Sequence, residues 1–404
     1  MEREVGYEPV SVKELLAEMK DTAELLVDLS YSAVLLQSDE VAEEVLELEA
    51  RMDVLQLRAR MSLLMAARNP DDAEALAPVL GIVGAAEKIS DAAGDIAKVV
   101  LEDIGLPAAM RAALPESVET LVRVEVAADS PLAGRQLGDI TLETDTGVRV
   151  IAIRRAGDWL TDPGPVTALE PGDVALLRGP DTGVAGVYER LSGETYTPPE
   201  PPDEPSADLD RAMDSVVLMK DVSELAVDLA YGAVLFDDDA LAEEVLELEA
   251  EVDALQSRFE AWTLRAAAEA DDPVSLRGLV HLASATEVIS DAALEISEGV
   301  LRGLDSHPVI QEAVLESDEV LTRQEVSADS RLAGATLGDV AVKSQTGMRV
   351  IAVRRGNESR SPSGKEPGWV VSPGPATQLA AGDVLIAKGT RTGAERLADL
   401  TEPN

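Results

Sequence analysis

The string MKDTAELLVDLSYSAVLL from Met19 recurs as MKDVSELAVDLAYGAVLF from Met219, and EEVLELEA at Glu43 recurs unchanged at Glu243. The offset is 200 residues. It holds through ISDAA at Ile89 and Ile289, EVAADSPLAGRQLGDI at Glu125 against EVSADSRLAGATLGDV at Glu325, and GVRVIAIRR at Gly147 against GMRVIAVRR at Gly347. A polar insertion, GNESRSPSGKEPGW, then lengthens the offset to 210 before Trp369, the counterpart of Trp159, as a longer surface hairpin would. Whatever one copy folds into, the 404-residue chain builds twice. Between the copies, SGETYTPPEPPDEPSADLD has Pro at 198, 199, 201, 202 and 205 and almost no apolar content, which predicts a semi-rigid, polyproline-like linker.

Each copy divides in two by period. Its first hundred or so residues are rich in Ala, Leu and Glu with apolar positions three and four apart; the rest is rich in Val, Ile, Gly, Pro and Asp with period-two runs. The helical half predicts three long helices, from about Ser11 to Leu36, from a cap at Ser38 or Asp39 to about Ala67, and from Asn69-Pro70 to about Asp103, with Gly105 closing the last. Short connections imply an up-down-up bundle. LPAAMRAALPESVET adds a helical stretch, VRVEVAA and VRVIAIRR read as strands, and QLGDI as a helical turn. DWLTDPGP and DVALLRG form a strand-turn-strand region, and DTGVAGVYERL a closing helix. The fold class is therefore α+β. Helical domains at 11–104 and 211–304, β-rich domains at 115–193 and 315–400 and a linker at 194–208 are expected. No GxGxxG occurs, so an NAD-binding reading has no motif.

A formal charge of −43, from 77 Asp+Glu against 34 Lys+Arg, sets nucleic acid and anionic lipid aside as partners. With 8 Lys against 26 Arg, this balance suits a halophilic archaeal cytoplasm, where molar salt shortens screening to about 3 Å. No Cys rules out disulfides, thiolate metal sites and a Cys nucleophile, and His281 and His307 are too few for a His-rich centre. Neither a signal sequence nor a run of about 18 uncharged apolar residues appears, so a soluble, cytoplasmic protein with no direct membrane insertion is expected.

Glu-x-x-x-Asp occurs three times per copy, at Glu24/Asp28, Glu49/Asp53 and Glu87/Asp91, then Glu224/Asp228, Glu249/Asp253 and Glu287/Asp291. That spacing stacks two carboxylates on one helix face, where they repel unless a cation bridges them. Hard oxygen donors would suit a divalent metal or iron. In so acidic a chain the same spacing also suits a solvated face, and both readings are open. The helical halves resemble the PhoU family, three-helix bundles whose acidic motifs hold metal, iron in some members; the resemblance covers about 11–104 and 211–304.

The ordered strings EVAADSPLAGRQLGDI, TGVRVIAIRR, DPGP and LEPGDVALLRG, with their counterparts, resemble the TrkA-C (RCK-C) domain of potassium-conductance regulators over about 115–193 and 315–400. That family serves as a cytosolic sensing part of potassium channels and transporters, pairs as dimers, and in some members binds cyclic di-AMP. The resemblance makes Ile151, Ile153, Arg154, Arg155 and Pro163, with Ile351, Val353, Arg354, Arg355 and Pro373, the candidate ligand set. Physically, an apolar strand ending in two cations could hold a base and a phosphodiester, although alternation places the two Arg on opposite faces. The cations also suit a strand end balancing nearby carboxylates, the apolar positions ordinary sheet core, and Trp159 and Trp369 half-buried hairpin aromatics.

No nucleophile-base pair or phosphate cradle occurs, so a non-enzymatic regulator of potassium or other cation transport is expected, with a membrane channel or transporter as partner and a homodimer allowed. A phosphate-homeostasis regulator and a metal-dependent enzyme using the bundle carboxylates are the alternatives.

Overall fold

The computed structural model describes residues 11–107, 120–140, 142, 146–156, 158–160, 163–179, 181–197, 206–270, 272–303, 308–316, 320–356 and 369–402. The first copy begins with α1 (Val12–Leu36), α2 (Asp39–Ala66) and α3 (Pro70–Leu101). Their ends follow the sequence chemistry. Ser38 caps α2 by accepting from the Val41 amide, and Asn69 caps α3 by accepting from Asp72 with Pro70 at the first helical position. Between α1 and α2 the chain turns through Gln37 in the left-handed region. The third helix stops two residues short of the expected end. Asp103 turns left-handed at φ 46, where the second copy has Gly303, and Gly105 is left-handed as well.

The second copy repeats this with α6 (Ala207–Phe236), α7 (Asp239–Glu269) and α8 (Arg277–Leu301), the last preceded by a 3-10 turn at Pro273–Leu276. The two bundles share one core, because α3 packs along α8. Gly278 at the start of α8 makes this approach possible: its amide donates to Gly105 O at 2.7 Å, and any Cβ there would collide with that carbonyl. A further helix, α9 (Pro308–Glu316), crosses α1 and α6 and fastens the second copy to the first helix of the first. Its counterpart, the LPAAMRAALPESVET stretch, lies outside the described residues over 108–119. So do the linker prolines at 198–205 and the insertion at 357–368.

The first β-rich domain comprises β1 (Thr120–Glu125), the short α4 (Leu137–Ile140), β2 (Arg149–Arg155), β3 (Asp158–Leu160), β4 (Val174–Gly179) and α5 (Asp181–Ser192). The second has β5 (Val320–Glu325), two short helices α10 (Leu337–Val340) and α11 (Val342–Thr346), β6 (Arg349–Arg354), β7 (Trp369–Val371), β8 (Val384–Gly389) and α12 (Arg391–Thr401). Both sheets are antiparallel, in the orders β1-β4-β2-β3 and β5-β8-β6-β7. The strand-turn-strand region therefore separates: β3 folds back on β2, and β4 inserts between β1 and β2.

A register shift between Val150 and Ala152, repeated between Val350 and Ala352, decides which way these strands face. Ile151, Ala152 and Leu176 join the helical core, while Val150, Ile153, Ala175 and Leu177 build a separate small core with Val184, Val187 and Leu191 of α5. Ile351, Ala352 and Ile386 repeat the first arrangement and Val350, Val353 and Leu385 the second. Each sheet is thus a middle layer between its closing helix and the bundles. Full burial of an isoleucine contributes roughly 1.5–3 kcal/mol, so a charge placed at Ile351 would lift the sheet from the helices. Among the described residues the two sheets do not join into one, and the pseudo-two-fold body is made by the bundles, where α3 packs along α8.

Candidate functional site

Where the sheets meet the first helix of each bundle, carboxylates expected to hold metal instead hold cations of the chain itself. Arg178, at the penultimate position of β4, places its guanidinium nitrogen 2.6 and 2.7 Å from the two carboxylate oxygens of Asp28 on α1. Lys388, its counterpart on β8, lies 2.6 Å from Asp228 on α6 and 3.3 Å from Glu24 on α1, bridging the two copies. Lys20 pairs with Glu24 at 2.9 Å and Lys220 with Glu224 at 2.7 Å, one turn along each helix. Each lysine also sits over a tyrosine of the other copy, Lys20 over Tyr231 and Lys220 over Tyr31, at 5.4 and 5.3 Å from the ring centres. This is a two-fold network at the junction of all four domains.

Its electrostatics are divided. Burial works to raise the Glu224 carboxyl, but Lys220, Arg178 and Arg349 outweigh it and hold the group below its ordinary range. For Asp228, burial wins despite Lys388, with Glu24 adding repulsion, and its carboxyl is raised. Burial likewise raises Asp221 against the pull of Lys220. Burial also raises both tyrosine hydroxyls. Tyr31 shares a hydrogen bond with Thr286 at 2.6 Å, whereas among the described residues the Tyr231 hydroxyl has no partner; the position matching Thr286 is Ala86.

The paired arginines at the ends of β2 and β6 do face opposite ways, and all four are engaged. Arg155 reaches Asp173 through Nε at 2.9 Å and a terminal nitrogen at 2.8 Å and also donates to the Ala168 carbonyl; Asp173 is 1% exposed and accepts from the Glu170 amide as well. Arg355 repeats this with Asp383 and the Gln378 carbonyl. Arg154 faces the bundle, 2.8 Å from Glu40 on α2, and Arg354 lies 3.5 Å from Asp238, the cap of α7, while stacking over Trp369. Beside these pairs, Glu44 of α2 is pushed up to about 7 by burial, with Glu47 adding repulsion against the pull of Arg154. Its counterpart Glu244, also raised by burial, accepts from the Trp369 amide at 3.3 Å. Pro163 and Pro373 stand beside Gly164-Pro165 and Gly374-Pro375, turns whose Pro165 and Pro375 carbonyls accept from Gly138 and Gly338 at 2.8 Å.

A cyclic dinucleotide does not fit this arginine set as it stands, because each guanidinium already has a carboxylate and Ile151 and Ile351 are covered by helices. The remaining acidic pairs lie between the second and third helix of each bundle. Burial, with Asp91, Asp53 and Asp95 adding repulsion against the pull of Lys98, raises Glu49, and burial, followed by Glu87, Asp53 and Asp95, raises Asp91. Glu249, Glu287 and Asp291 are raised by burial and then by Asp253 and one another. Among the described residues, however, no three acidic groups come close enough to hold a metal ion.

Family comparison decides what these layers are. The PhoU domain model matches residues 16–100 and 216–300, and the TrkA-C domain model residues 121–192 and 321–401. The chain carries a PhoU domain and a TrkA-C domain, each present twice in tandem. Among solved structures, PhoU from Pseudomonas aeruginosa matches at 13% identity and TM-score 0.41, over 72% of this chain and 96% of that one. The GsuK RCK domain matches at 15% identity and TM-score 0.18, over 70% of this chain and 64% of that one; the GsuK channel matches at 14% identity and the same TM-score, over 70% and 53%. This chain thus spans under two thirds of those two. No curated protein matches the chain significantly. No described helix is long and apolar enough to cross a membrane.

Arg178, Lys388, Lys20, Lys220 and the two tyrosines escaped the sequence reading. One signal was available: in the central strands VALLRG and VLIAKG, a lone cation interrupts an otherwise apolar run at the same place in both copies. A cation kept inside a buried strand implies a carboxylate facing it.

Proposed function

We propose that the chain is a cytosolic, non-enzymatic regulator of potassium transport, in which the relation between TrkA-C sheets and PhoU bundles is the regulated quantity. The observation that carries this is the placement of Arg178 and Lys388, each on a central TrkA-C strand, in carboxylates of the PhoU bundles. A sheet that moves must break buried ion pairs, so the body favours discrete arrangements over gradual bending, and a ligand acts only through its differential affinity for them. The TrkA-C resemblance to potassium-conductance regulators supplies the transported ion. A membrane-bound potassium channel or transporter is the partner, and the acidic surface suits a cytoplasm at molar salt.

The test is recovery of the tagged chain from membranes of its native host, with mass spectrometry of what accompanies it and potassium uptake measured with and without the gene. A co-purifying potassium transporter and altered potassium uptake are expected. A phosphate permease instead, with phosphate uptake altered, would establish the second reading, which the PhoU match over both bundles favours. Calorimetric titration with cyclic di-AMP in molar KCl tests the ligand expectation separately. Binding would require carboxylates such as Glu40 and Asp238 to release their arginines; no heat and no stabilisation would count against it. Elemental analysis of protein purified without chelator tests for iron or a divalent metal in the bundles.

A further inference from the structure

Arg178 and Lys388 do not distinguish the two sheets, since both are mostly buried and both meet carboxylates of the bundles. The strands on either side of them do. In each copy two arginines flanking the central strand converge on one carboxylate near the start of the second helix, but the carboxylate is a different residue. Arg123 of β1 and Arg154 of β2 lie 3.5 and 2.8 Å from Glu40, in the first turn of α2, whose side chain is 56% exposed. Arg323 of β5 and Arg354 of β6 lie 3.1 and 3.5 Å from Asp238, whose side chain is 7% exposed and which also caps α7 by accepting from the Leu241 amide at 3.1 Å. Asp238 stands where the first copy has Ser38, and Ala240 stands where it has Glu40.

The exchange of acids makes the two attachments unequal. Glu40 must order a long side chain to hold its arginines, and its charge is screened by solvent and salt. Asp238 is short and already held by the helix it caps, so meeting its arginines orders little more. The second sheet has further holds. The Trp369 amide donates to Glu244 on α7 at 3.3 Å, with the indole ring buried in the helical core beneath Arg354. Arg391, at the start of α12, donates to the Leu315 carbonyl of α9 at 2.9 Å, and α9 lies across α1 and α6. At the matching position the first copy has Asp181, a carboxylate that cannot donate to a carbonyl. We propose that the two β domains, although copies, release unequally: the first leaves the bundles while the second stays as the fixed anchor. This rests on the reading that the relation between sheets and bundles is regulated, and it makes the first sheet the moving part. A ligand or partner that favours the released state then acts through residues 120–192.

Because the chain has no cysteine, single introduced thiols report release cleanly. Ala152 and Ala352 are matching positions, both fully buried against the helical core, so they start equal. In molar KCl, a maleimide is expected to label Ala152→Cys roughly tenfold faster than Ala352→Cys, with helical circular dichroism unchanged in both. Exchanging the carboxylates tests the cause. Ser38→Asp/Glu40→Ala is expected to slow labelling at the first site roughly threefold, and Asp238→Ser/Ala240→Glu to speed it at the second by about the same factor. Ile151→Cys and Ile351→Cys repeat the comparison if the alanine sites do not accept a sulfur. Equal rates in the two copies, faster labelling of the second, or a ratio that the exchange leaves unchanged would overturn the proposal. Labelling is read on the purified chain, so it stands or falls whether or not a potassium transporter is recovered with the chain, and equal rates would leave the transport reading intact.

Discussion

Lys388 Nζ stands 2.6 Å from Asp228 Oδ1 and 3.3 Å from Glu24 Oε1, so one ammonium from the second sheet serves a carboxylate of each bundle. The lysine side chain is 15% exposed and Asp228 10%. Removing one member of a buried pair leaves the other charge desolvated, at a cost of roughly 3–5 kcal/mol. Lys20 remains beside Glu24 and softens the loss there. Lys388→Met is therefore expected to cost about 2–4 kcal/mol, seen as a lowered Tm and faster amide exchange in α1, α6 and β8. Adding Asp228→Asn should recover part of that loss, since the orphaned carboxylate is gone; additive losses in the double variant would show the pairing to be unimportant.

Arg155 and Asp173 hold the small core of the first β domain from below. The buried carboxylate receives two guanidinium nitrogens and a backbone amide, which are charge-assisted and fixed in geometry. Asp173→Asn is expected to cost about 2–4 kcal/mol and Arg155→Lys, which loses the planar fork, about 1–2 kcal/mol. Arg154→Gln should stay within about 1 kcal/mol, because its partner Glu40 is more than half exposed. Thermal melts of the three variants check this ordering. Equal Tm values for Arg155→Lys and wild type would mean that Arg155 is free for another task.

These residues also show how far the amino-acid order reaches. Helix ends were legible because Ser38, Asn69 and Pro70 act within one turn of themselves, and the opposite facing of Arg154 and Arg155 follows from strand alternation. The strand order was not legible, since β4 finds its place between β1 and β2 by core packing at long sequence separation. Nor was the fate of Asp28, whose partner Arg178 is 150 positions away. An acidic spacing on a helix is the same string whether a metal, water or a distant arginine meets it. Only the lone cation in each buried central strand hinted at the answer, and it required knowing that the strand is buried on both faces.

Glu44 gives a pH dependence whose sign is fixed. Its carboxyl, ordinarily at 4.5, is raised to about 7 by burial and then by Glu47, with Arg154 opposing. The folded chain therefore binds this proton more tightly than the unfolded chain does. The contribution is fully present below about pH 4.5 and is lost as pH rises towards 7, so stability falls across that window. Glu44→Gln is expected to flatten the slope and to raise stability at pH 8 by about 1 kcal/mol, a figure reduced for solvent screening of a half-buried group. Tm measured from pH 5 to 8 at constant salt checks it; an unchanged slope would place the proton elsewhere.

Tyr31 and Tyr231 are a natural comparison of one side chain in two settings. Tyr31 has Thr286 Oγ1 at 2.6 Å, while the Tyr231 hydroxyl is buried with no partner among the described residues, and the first copy has Ala86 at the position matching Thr286. A satisfied buried hydroxyl contributes about 1 kcal/mol net, and an unsatisfied one costs about 1–3 kcal/mol in lost hydration. Tyr31→Phe should therefore destabilise by about 1–1.5 kcal/mol, leaving the Thr286 hydroxyl only its bond to the Leu282 carbonyl. Tyr231→Phe, which removes an unpartnered oxygen while keeping the ring beneath Lys20, should be neutral or stabilising. Matched thermal melts test the pair, and equal losses in both would mean that Tyr231 has a hydrogen-bond partner in solution.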